Sequence, residues 1–190
     1  MIKALVVYGT RYGATADTSE VIADVLRQEG FEVKVVNAKK EKMQSINEYE
    51  LVIVGSGIRM GGWTKEPEKF LGKFQKELLK KKVALFVCCS SASFRPLTEG
   101  EEEIKVMEDA RRKYLDDKAV QYDLSPIALG FFGGIYDFNK MSWLLRKTMS
   151  GVKLQLEEAG FKEAKSGVYD TRNLDAIRSW AKEVAQIVKL

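Results

Sequence analysis

Five short apolar runs alternate with longer segments of helical periodicity along this chain, and this alternation constrains the fold more than any other feature. Apolar runs of four to seven residues, bounded by turn-forming or charged residues, are typical of buried strands. Strands that alternate with helices indicate a parallel sheet covered by helices on both faces. The predicted strands are residues 2–8, 31–36, 51–54, 83–87 and 127–132.

The segments between the runs carry apolar residues three and four positions apart, as amphipathic helices do. In the first segment Val21, Ile22, Val25 and Leu26 share one face, and Gly30 closes the helix. No repeat or linker divides the chain, so we predict a single domain over residues 1–190. The predicted helices are residues 14–29, 67–79, 101–115, 139–158 and 175–188.

The predicted fold class is a doubly wound α/β fold, with a five-stranded parallel sheet and helices on both faces. Because crossovers between parallel strands are right-handed, few windings are available to five strands. The strand order 2-1-3-4-5 is one of the common solutions. In such sheets the ligand binds outside the carboxyl ends of the strands, near the point where the strand order reverses. We therefore expect the functional loops to follow strands one, three, four and five.

Histidine is absent from the chain, and the two cysteines are the neighbours Cys88 and Cys89. A histidine metal site, a Ser–His–Asp triad and a Cys–His pair are therefore excluded. Neighbouring strand residues point to opposite faces, so these two cysteines are poor disulfide partners. Any redox chemistry then belongs to a cofactor. We expect a reducing, cytoplasmic location, no secretory signal and no transmembrane segment, since no apolar run approaches the ~18–20 residues that cross a bilayer.

The charge pattern argues against a nucleic-acid partner, although the chain carries a net charge of +4. Its 31 basic residues are interleaved with 27 acidic ones. The compact block Lys80–Lys82 lies at the end of a predicted helix, where cations suit the helix dipole. We therefore interpret that block as a helix end rather than a binding patch.

The first candidate loop is Thr10, Arg11, Tyr12, Gly13, Ala14 and Thr15, between the first strand and the first helix. Small residues let backbone N–H groups close around an anion, and a helix N-terminus adds partial positive charge. The loop is neither GxGxxG nor a Walker loop, and without a lysine it suits a terminal monophosphate better than a magnesium-bound triphosphate. An ordinary capped turn is the alternative, because threonine also caps helices.

The second candidate loop follows the third strand and contains Gly57, Ile58, Arg59, Met60 and Trp63. Its many glycines suggest a close approach of the backbone to a flat ligand, which Trp63 would cover. Arg59 would lie beside the negative charge that develops on this ligand. The alternatives are a tryptophan that covers the edge of the core and an arginine in a surface ion pair.

Two further loops complete the predicted site. The first follows the fourth strand and supplies small polar residues for the polar edge of a ring system, with a plain hydrophilic loop as the alternative. The second follows the fifth strand and again offers exposed backbone. Their candidate residues are Ser90, Ser91, Ala92, Ser93 and Phe94, and then Gly133 and Gly134.

Taken together, these loops resemble those of the flavodoxin superfamily, and within it the menaquinone-dependent protoporphyrinogen dehydrogenase (oxidase) family. The resemblance spans nearly the whole chain, and its sharpest parts are residues 8–15, 54–61, 128–134 and 143–149. It implies a flavodoxin-like fold that holds the FMN phosphate in the Thr10–Thr15 loop and the isoalloxazine ring between the loops after strands three and four. It also implies that the chemistry occurs on the flavin, with no catalytic side chain, and we expect Arg59 near the N1–O2 edge of the ring.

Three functions are open at this point. The first is an FMN-dependent oxidoreductase of the protoporphyrinogen or quinone-linked kind, and the second is an electron carrier without its own substrate. The third, a phosphorylated receiver domain, would need acidic residues where the chain has Gly9–Thr10 and Gly55–Ser56. The expected partners are a redox protein or a quinone or other small-molecule acceptor. Peripheral membrane contact and a homodimer stay open, and no metal is expected.

Overall fold

The computed structural model describes residues 1–89, 92 and 101–190. The strands are β1 Lys3–Gly9, β2 Glu32–Asn37, β3 Leu51–Arg59, β4 Gly62–Trp63, β5 Lys82–Cys88, β6 Ala128–Phe132, β7 Ile135–Asp137, β8 Glu163–Lys165 and β9 Val168–Asp170. The helices are α1 Ala14–Gln28, α2 Lys65–Lys73, α3 Gln75–Leu78, α4 Glu101–Arg111, α5 Asp117–Gln121, α6 Trp143–Thr148, α7 Ser150–Glu158 and α8 Leu174–Lys189. No helix among these residues is both long enough and apolar enough to span a membrane.

The central sheet has the parallel strand order β2-β1-β3-β5-β6, which confirms the predicted order and fold class. Val7 at the centre of β1 lies beside Val36 of β2 and Val54 of β3. The short strand β4 folds back antiparallel onto the end of β3. The strand order reverses at β1, so the crevice at its carboxyl end lies between the loops that follow β1 and β3.

Alternate residues of each central strand enter different layers of the core. Leu5 and Val7 face the layer built by α2, α3 and α5. Ala4 and Val6 face the layer built by α1 and α8. Because both faces are covered, the strands are apolar almost throughout, as buried parallel strands are.

The predicted helices 67–79 and 101–115 differ from those in the structure. The predicted helix 67–79 ends at Lys73, and Phe74 leaves helical geometry before α3 begins. The Phe74 ring is buried and packs 5.0 Å from the ring of Phe70. The predicted helix 101–115 continues through a π-helical turn, Arg112–Asp116, into α5.

The C-terminal third contains a second sheet, which the sequence analysis did not predict. Strands β7, β9 and β8 form an antiparallel sheet of three short strands. The predicted helix 139–158 is divided accordingly into a 3-10 turn, Phe138–Lys140, and the helices α6 and α7. Tyr169 of β9 and Leu156 of α7 are fully buried in the small core beneath this sheet. The sheet brings the segment after β9 back to the carboxyl end of β6, beside the predicted site.

Candidate functional site

The loop between β1 and α1 has the form of an anion cradle. Gly13 adopts a left-handed conformation, with φ of 109°, and its N–H donates to Thr10 Oγ1 at 3.0 Å. The N–H groups of Ala14 and Thr15 have no acceptor within the described part of the chain. The N-terminus of α1 therefore offers free donors and the positive end of a helix dipole to an anion.

The Thr15 hydroxyl lies at the inner wall of this loop. Thr15 is almost fully buried. A Cβ atom placed on Gly57 of β3 would lie 3.1 Å from Thr15 Oγ1 and 3.8 Å from the carbonyl oxygen of Gly9. A side chain at position 57 would thus press on the cradle, and glycine keeps the space beside the hydroxyl open.

A cleft of about 190 Å³ extends from this loop across the carboxyl ends of β3, β5 and β6. It brings together eight predicted residues, namely Thr10, Arg11, Tyr12, Ala14, Thr15, Gly57, Ile58 and Gly134. It also contains residues that the sequence analysis did not assign, namely Thr64, Cys88, Cys89, Ile135, Tyr136, Met141 and Met149. The cleft therefore has one polar end at the loop and a mostly apolar remainder, which matches a ligand with an anionic end and an apolar body.

Three predicted residues from the second loop line a neighbouring pocket instead of the cleft. Arg59, Met60 and Trp63 belong to the β3–β4 hairpin, whose two-residue turn has positive φ at Met60 and Gly61, 49° and 75°. Trp63 is only 5% exposed, and its indole N–H donates to the Tyr114 carbonyl oxygen at 2.7 Å. This position fits the alternative in which Trp63 covers the edge of the core. The predicted contacts of Arg59, Met60 and Trp63 with a flavin stay predictions.

The two glycines after β6 have different roles. A Cβ atom on Gly133 would lie 2.3 Å from the Thr171 carbonyl oxygen, so glycine is required there by the backbone of the chain itself. Gly134 lines the cleft and exchanges hydrogen bonds with the Thr171 hydroxyl. Ala92 lines a separate pocket with Gly133. Four further predicted residues, Ser90, Ser91, Ser93 and Phe94, lie outside the described residues.

The two cysteines confirm the expectation that they point to opposite faces. Cys88 belongs to the core layer of α1 and α8, and Cys89 to the layer of α2. Burial raises the pKa of the Cys88 thiol to about 11, although its Sγ donates to Thr18 Oγ1 at 3.5 Å. The Cys88 thiol is therefore protonated at neutral pH and is a poor nucleophile.

We accordingly expect both thiols to be inert in the folded protein. At neutral pH a thiol-specific colorimetric reagent should label neither cysteine of the native chain within minutes, because both are more than nine-tenths buried. The same reagent should label two thiols per chain once denaturant is added. Rapid labelling of the native protein would contradict this assignment.

The chain matches the model of the Flavodoxin domain family over residues 5–161. The chain belongs to the Flavodoxin domain family. No curated protein matches it. A flavodoxin from the domain Archaea shares 17% identity at a TM-score of 0.56, with 100% of each chain covered. A flavodoxin from Streptococcus pneumonia shares 15% identity at a TM-score of 0.55, with 97% of this chain and 99% of that chain covered.

A third neighbour is a larger protein. Rubredoxin oxygen:oxidoreductase from Desulfovibrio gigas shares 14% identity at a TM-score of 0.55. The match covers 98% of this flavodoxin domain but only 36% of that chain. At such identities these neighbours show a shared fold and do not transfer an activity.

Flavodoxin domains bind flavin, generally FMN, and the cleft in this flavodoxin domain fits that group. The free N–H groups of Ala14 and Thr15 suit the phosphate, and the apolar body of the cleft suits a ring system. Cys88 and Cys89 line the cleft because they lie at the end of β5, next to the candidate loop that was predicted after the fourth strand.

Arg172, which lines a neighbouring pocket rather than the cleft, is a further residue near the site that the sequence analysis missed. Its side chain is 8% exposed and makes a bidentate ion pair with Asp170, in which the Nε–Oδ1 distance is 2.9 Å and the Nη2–Oδ2 distance is 2.6 Å. Its Nη1 also donates to the Ala14 carbonyl oxygen at 3.5 Å. Burial favours a raised pKa for Asp170, but the hydrogen bonds and charge of Arg172 outweigh it and hold that pKa below its usual value. Asp170 thus holds the Arg172 guanidinium in place, and the paired arginine contacts the first turn of α1.

Proposed function

We propose that this flavodoxin domain binds FMN and acts as a two-electron oxidoreductase of the protoporphyrinogen- or quinone-linked kind. The observation that carries the FMN assignment is the Thr10–Thr15 loop, whose free N–H groups and buried Thr15 hydroxyl face the space kept open by Gly57. Bound FMN would supply a flavin ring that accepts hydrogens from a substrate and passes electrons to an acceptor.

The residues of the chain bind and orient the cofactor in this proposal. The hydrogen bond between Gly13 and Thr10 fixes the loop so that its remaining donors converge. Arg172, paired with Asp170, positions the first turn of α1 through the Ala14 carbonyl oxygen. Ile58, Met141 and Met149 provide apolar walls for the ring system. The histidine-free chain offers few general acids, so the chemistry belongs to the flavin rather than to side chains.

The phosphate contact is tested by comparing FMN with riboflavin, which has the same ring system but no phosphate. Hydrogen bonds to a charged group contribute about 1.5–3 kcal/mol each, so FMN should bind at least about 100-fold more tightly than riboflavin if two such bonds form. The measurement is a fluorescence titration of the flavin-free chain, with the flavin of the purified protein identified by its mass. Equal affinity for both flavins would place the phosphate outside the loop.

A second candidate function is an electron carrier without its own substrate, as the two flavodoxin neighbours suggest. A spectroelectrochemical titration separates the two functions. Uptake of two electrons in one step supports the oxidoreductase, whereas two well-separated one-electron steps support the carrier. An anaerobic screen with protoporphyrinogen, quinones and nicotinamide nucleotides would then identify the donor and the acceptor. A homodimer and peripheral membrane contact are part of the same proposal and are tested by sedimentation and by vesicle binding.

A further inference from the structure

Two concave regions on the α2 side of the sheet form one continuous surface, which we call the basic face. The first region is a groove of about 350 Å³ between the segment after β2 and helix α2. The second is a pocket of about 560 Å³ between the Thr10–Gly13 loop, the β3–β4 hairpin and the start of α2. Lys39 and Glu66 line both regions, so the groove and the pocket are contiguous.

The basic face concentrates the positive charge of the molecule. Seven basic and two acidic residues line it, giving a net charge of +5, whereas the whole chain carries +4. One of the two carboxylates, Glu41, is already paired with Lys34 outside the face. All seven basic residues are exposed and, within the described part of the chain, lack a carboxylate partner. They are Arg11, Lys39, Lys42, Arg59, Lys65, Lys69 and Lys73.

The groove has an apolar floor beneath this charged rim. Val36, Phe70 and Phe74 are buried there, and Met43 is half-buried. Lys73 Nζ donates to the Met43 carbonyl oxygen at 2.6 Å and lies 4.8 Å from the centre of the Phe74 ring. An apolar centre with a polar rim is the usual layout of a protein–protein interface.

The same layout argues against other large anionic partners. A membrane surface is bound by several apolar side chains that protrude into the lipid, whereas the apolar residues of the groove lie at its bottom and Met60, at the tip of the hairpin, is the one exposed apolar side chain among the described residues that line the pocket. Single-stranded nucleic acid is bound on exposed aromatic platforms, whereas Phe70 and Phe74 are 7% and 3% exposed. A protein that presents one apolar side chain among acidic residues fits both the floor and the rim.

The basic face lies next to the candidate cofactor cleft. Thr10, Arg11 and Thr64 line both the pocket of the basic face and the cleft, so a single loop and one helix start separate the two. A concave surface of one charge sign raises the local concentration of oppositely charged partners and accelerates their association. A partner held here would therefore dock beside the flavin.

We propose that the basic face is the docking site of an acidic electron-transfer protein. An apolar side chain of the partner enters the groove, and its carboxylates meet the rim of lysines and arginines. Electron transfer in the docked complex rests on the proposed FMN function, whereas the binding of the partner does not.

An acidic [2Fe–2S] ferredoxin serves as the probe, and calorimetry of its binding requires no bound FMN. We expect binding at low salt that weakens at least about tenfold at physiological salt, because the Debye length falls to about 8 Å. In a second measurement, reduced ferredoxin is mixed with the FMN-loaded protein. Each ferredoxin passes one electron from its cluster to the flavin, so two ferredoxins and two protons complete the reduction, and the bimolecular rate should show the same salt dependence.

Two matched double variants test whether ferredoxin binding depends on the basic face. The double variant Lys39→Glu and Lys69→Glu reverses two charges of the basic face, and neither residue contacts the cleft. The control is Lys76→Glu and Lys80→Glu, which makes the same charge change on exposed residues near the amino end of β5. We expect the first variant to lose at least about tenfold in ferredoxin affinity and in rate. The control should stay close to the parent protein, and both variants should keep their FMN affinity.

Three results would overturn the proposal. The first is ferredoxin binding that is absent, or that changes equally in both double variants. The second is rapid, salt-independent electron transfer. The third is binding to phosphatidylglycerol vesicles that the Lys39 and Lys69 variant loses, without any ferredoxin binding, which would make the face a membrane surface. Failure to bind FMN would contradict the proposed function alone, because the calorimetry with the FMN-free chain still reports on docking.

Discussion

Replacing Arg172 with methionine should lower the free energy of unfolding by about 3 kcal/mol, the low end for breaking a buried ion pair. The guanidinium is 8% exposed, and its removal takes away two side-chain hydrogen-bond donors from the Asp170 carboxylate, which keeps the backbone N–H of residue 172 at 3.1 Å from Oδ1. Asp170 is one-third exposed, so water compensates in part and the effect stays at the low end. Denaturant unfolding followed by circular dichroism measures the change.

The matched control removes both charges. Asp170→Asn combined with Arg172→Met leaves no unpaired carboxylate, so the double variant should be more stable than Arg172→Met alone. A double variant that is as unstable as the sum of the two single variants would show that the two side chains act independently.

The ion pair between Asp170 and Arg172 also makes the folding stability depend on pH. The pKa of Asp170 is lower in the folded protein than its ordinary value, so the folded chain binds its proton less tightly than the unfolded chain does. The pair therefore contributes its full stability above the unfolded pKa of about 3.9 and loses it as the pH falls through the lower folded pKa. The parent protein should lose stability in this acidic range more steeply than the double variant does.

Replacing Thr15 with valine should weaken FMN binding by about 10- to 100-fold, because one hydrogen bond to a charged phosphate contributes about 1.5–3 kcal/mol. Valine has nearly the shape of threonine, so the buried position stays filled. Riboflavin affinity should change little, since riboflavin has no phosphate. Fluorescence titration of both flavins measures the two constants.

Thr18→Val is the matched control for this substitution. Thr18 is fully buried on the same helix, one turn beyond the loop, and its hydroxyl accepts a hydrogen bond from Cys88. It does not line the cleft. If Thr18→Val weakens FMN binding as much as Thr15→Val does, the effect comes from packing of α1 rather than from the phosphate.

The parallel sheet could be predicted because its signal is local and strong. Val52, Ile53 and Val54 form an unbroken apolar run, and such a run can be buried on both sides only in a covered sheet. The turn between β1 and α1 could likewise be predicted, since Gly13 and the threonines follow a strand and open a helix. These features depend on residues that are neighbours in the sequence.

The small antiparallel sheet and Arg172 could not be predicted for the opposite reason. Strands of three residues, such as β9, are too short to show a period of two. Arg172 meets Ala14 across 158 positions of sequence, and no local pattern reports such a contact. The sequence left two roles open for Trp63, because the partner of its indole N–H, the Tyr114 carbonyl oxygen, is 51 positions away.

The long separation between Arg172 and Ala14 has a consequence for the order in which the molecule is made. During synthesis the Thr10–Gly13 loop leaves the ribosome well before β9, Arg172 and α8 do. Helix α8 supplies Trp180, whose ring meets Phe132 at 5.6 Å in the layer that supports α1. The loop of the candidate site thus acquires its final environment long after it is translated, and a nascent chain lacks the completed site until α8 has folded.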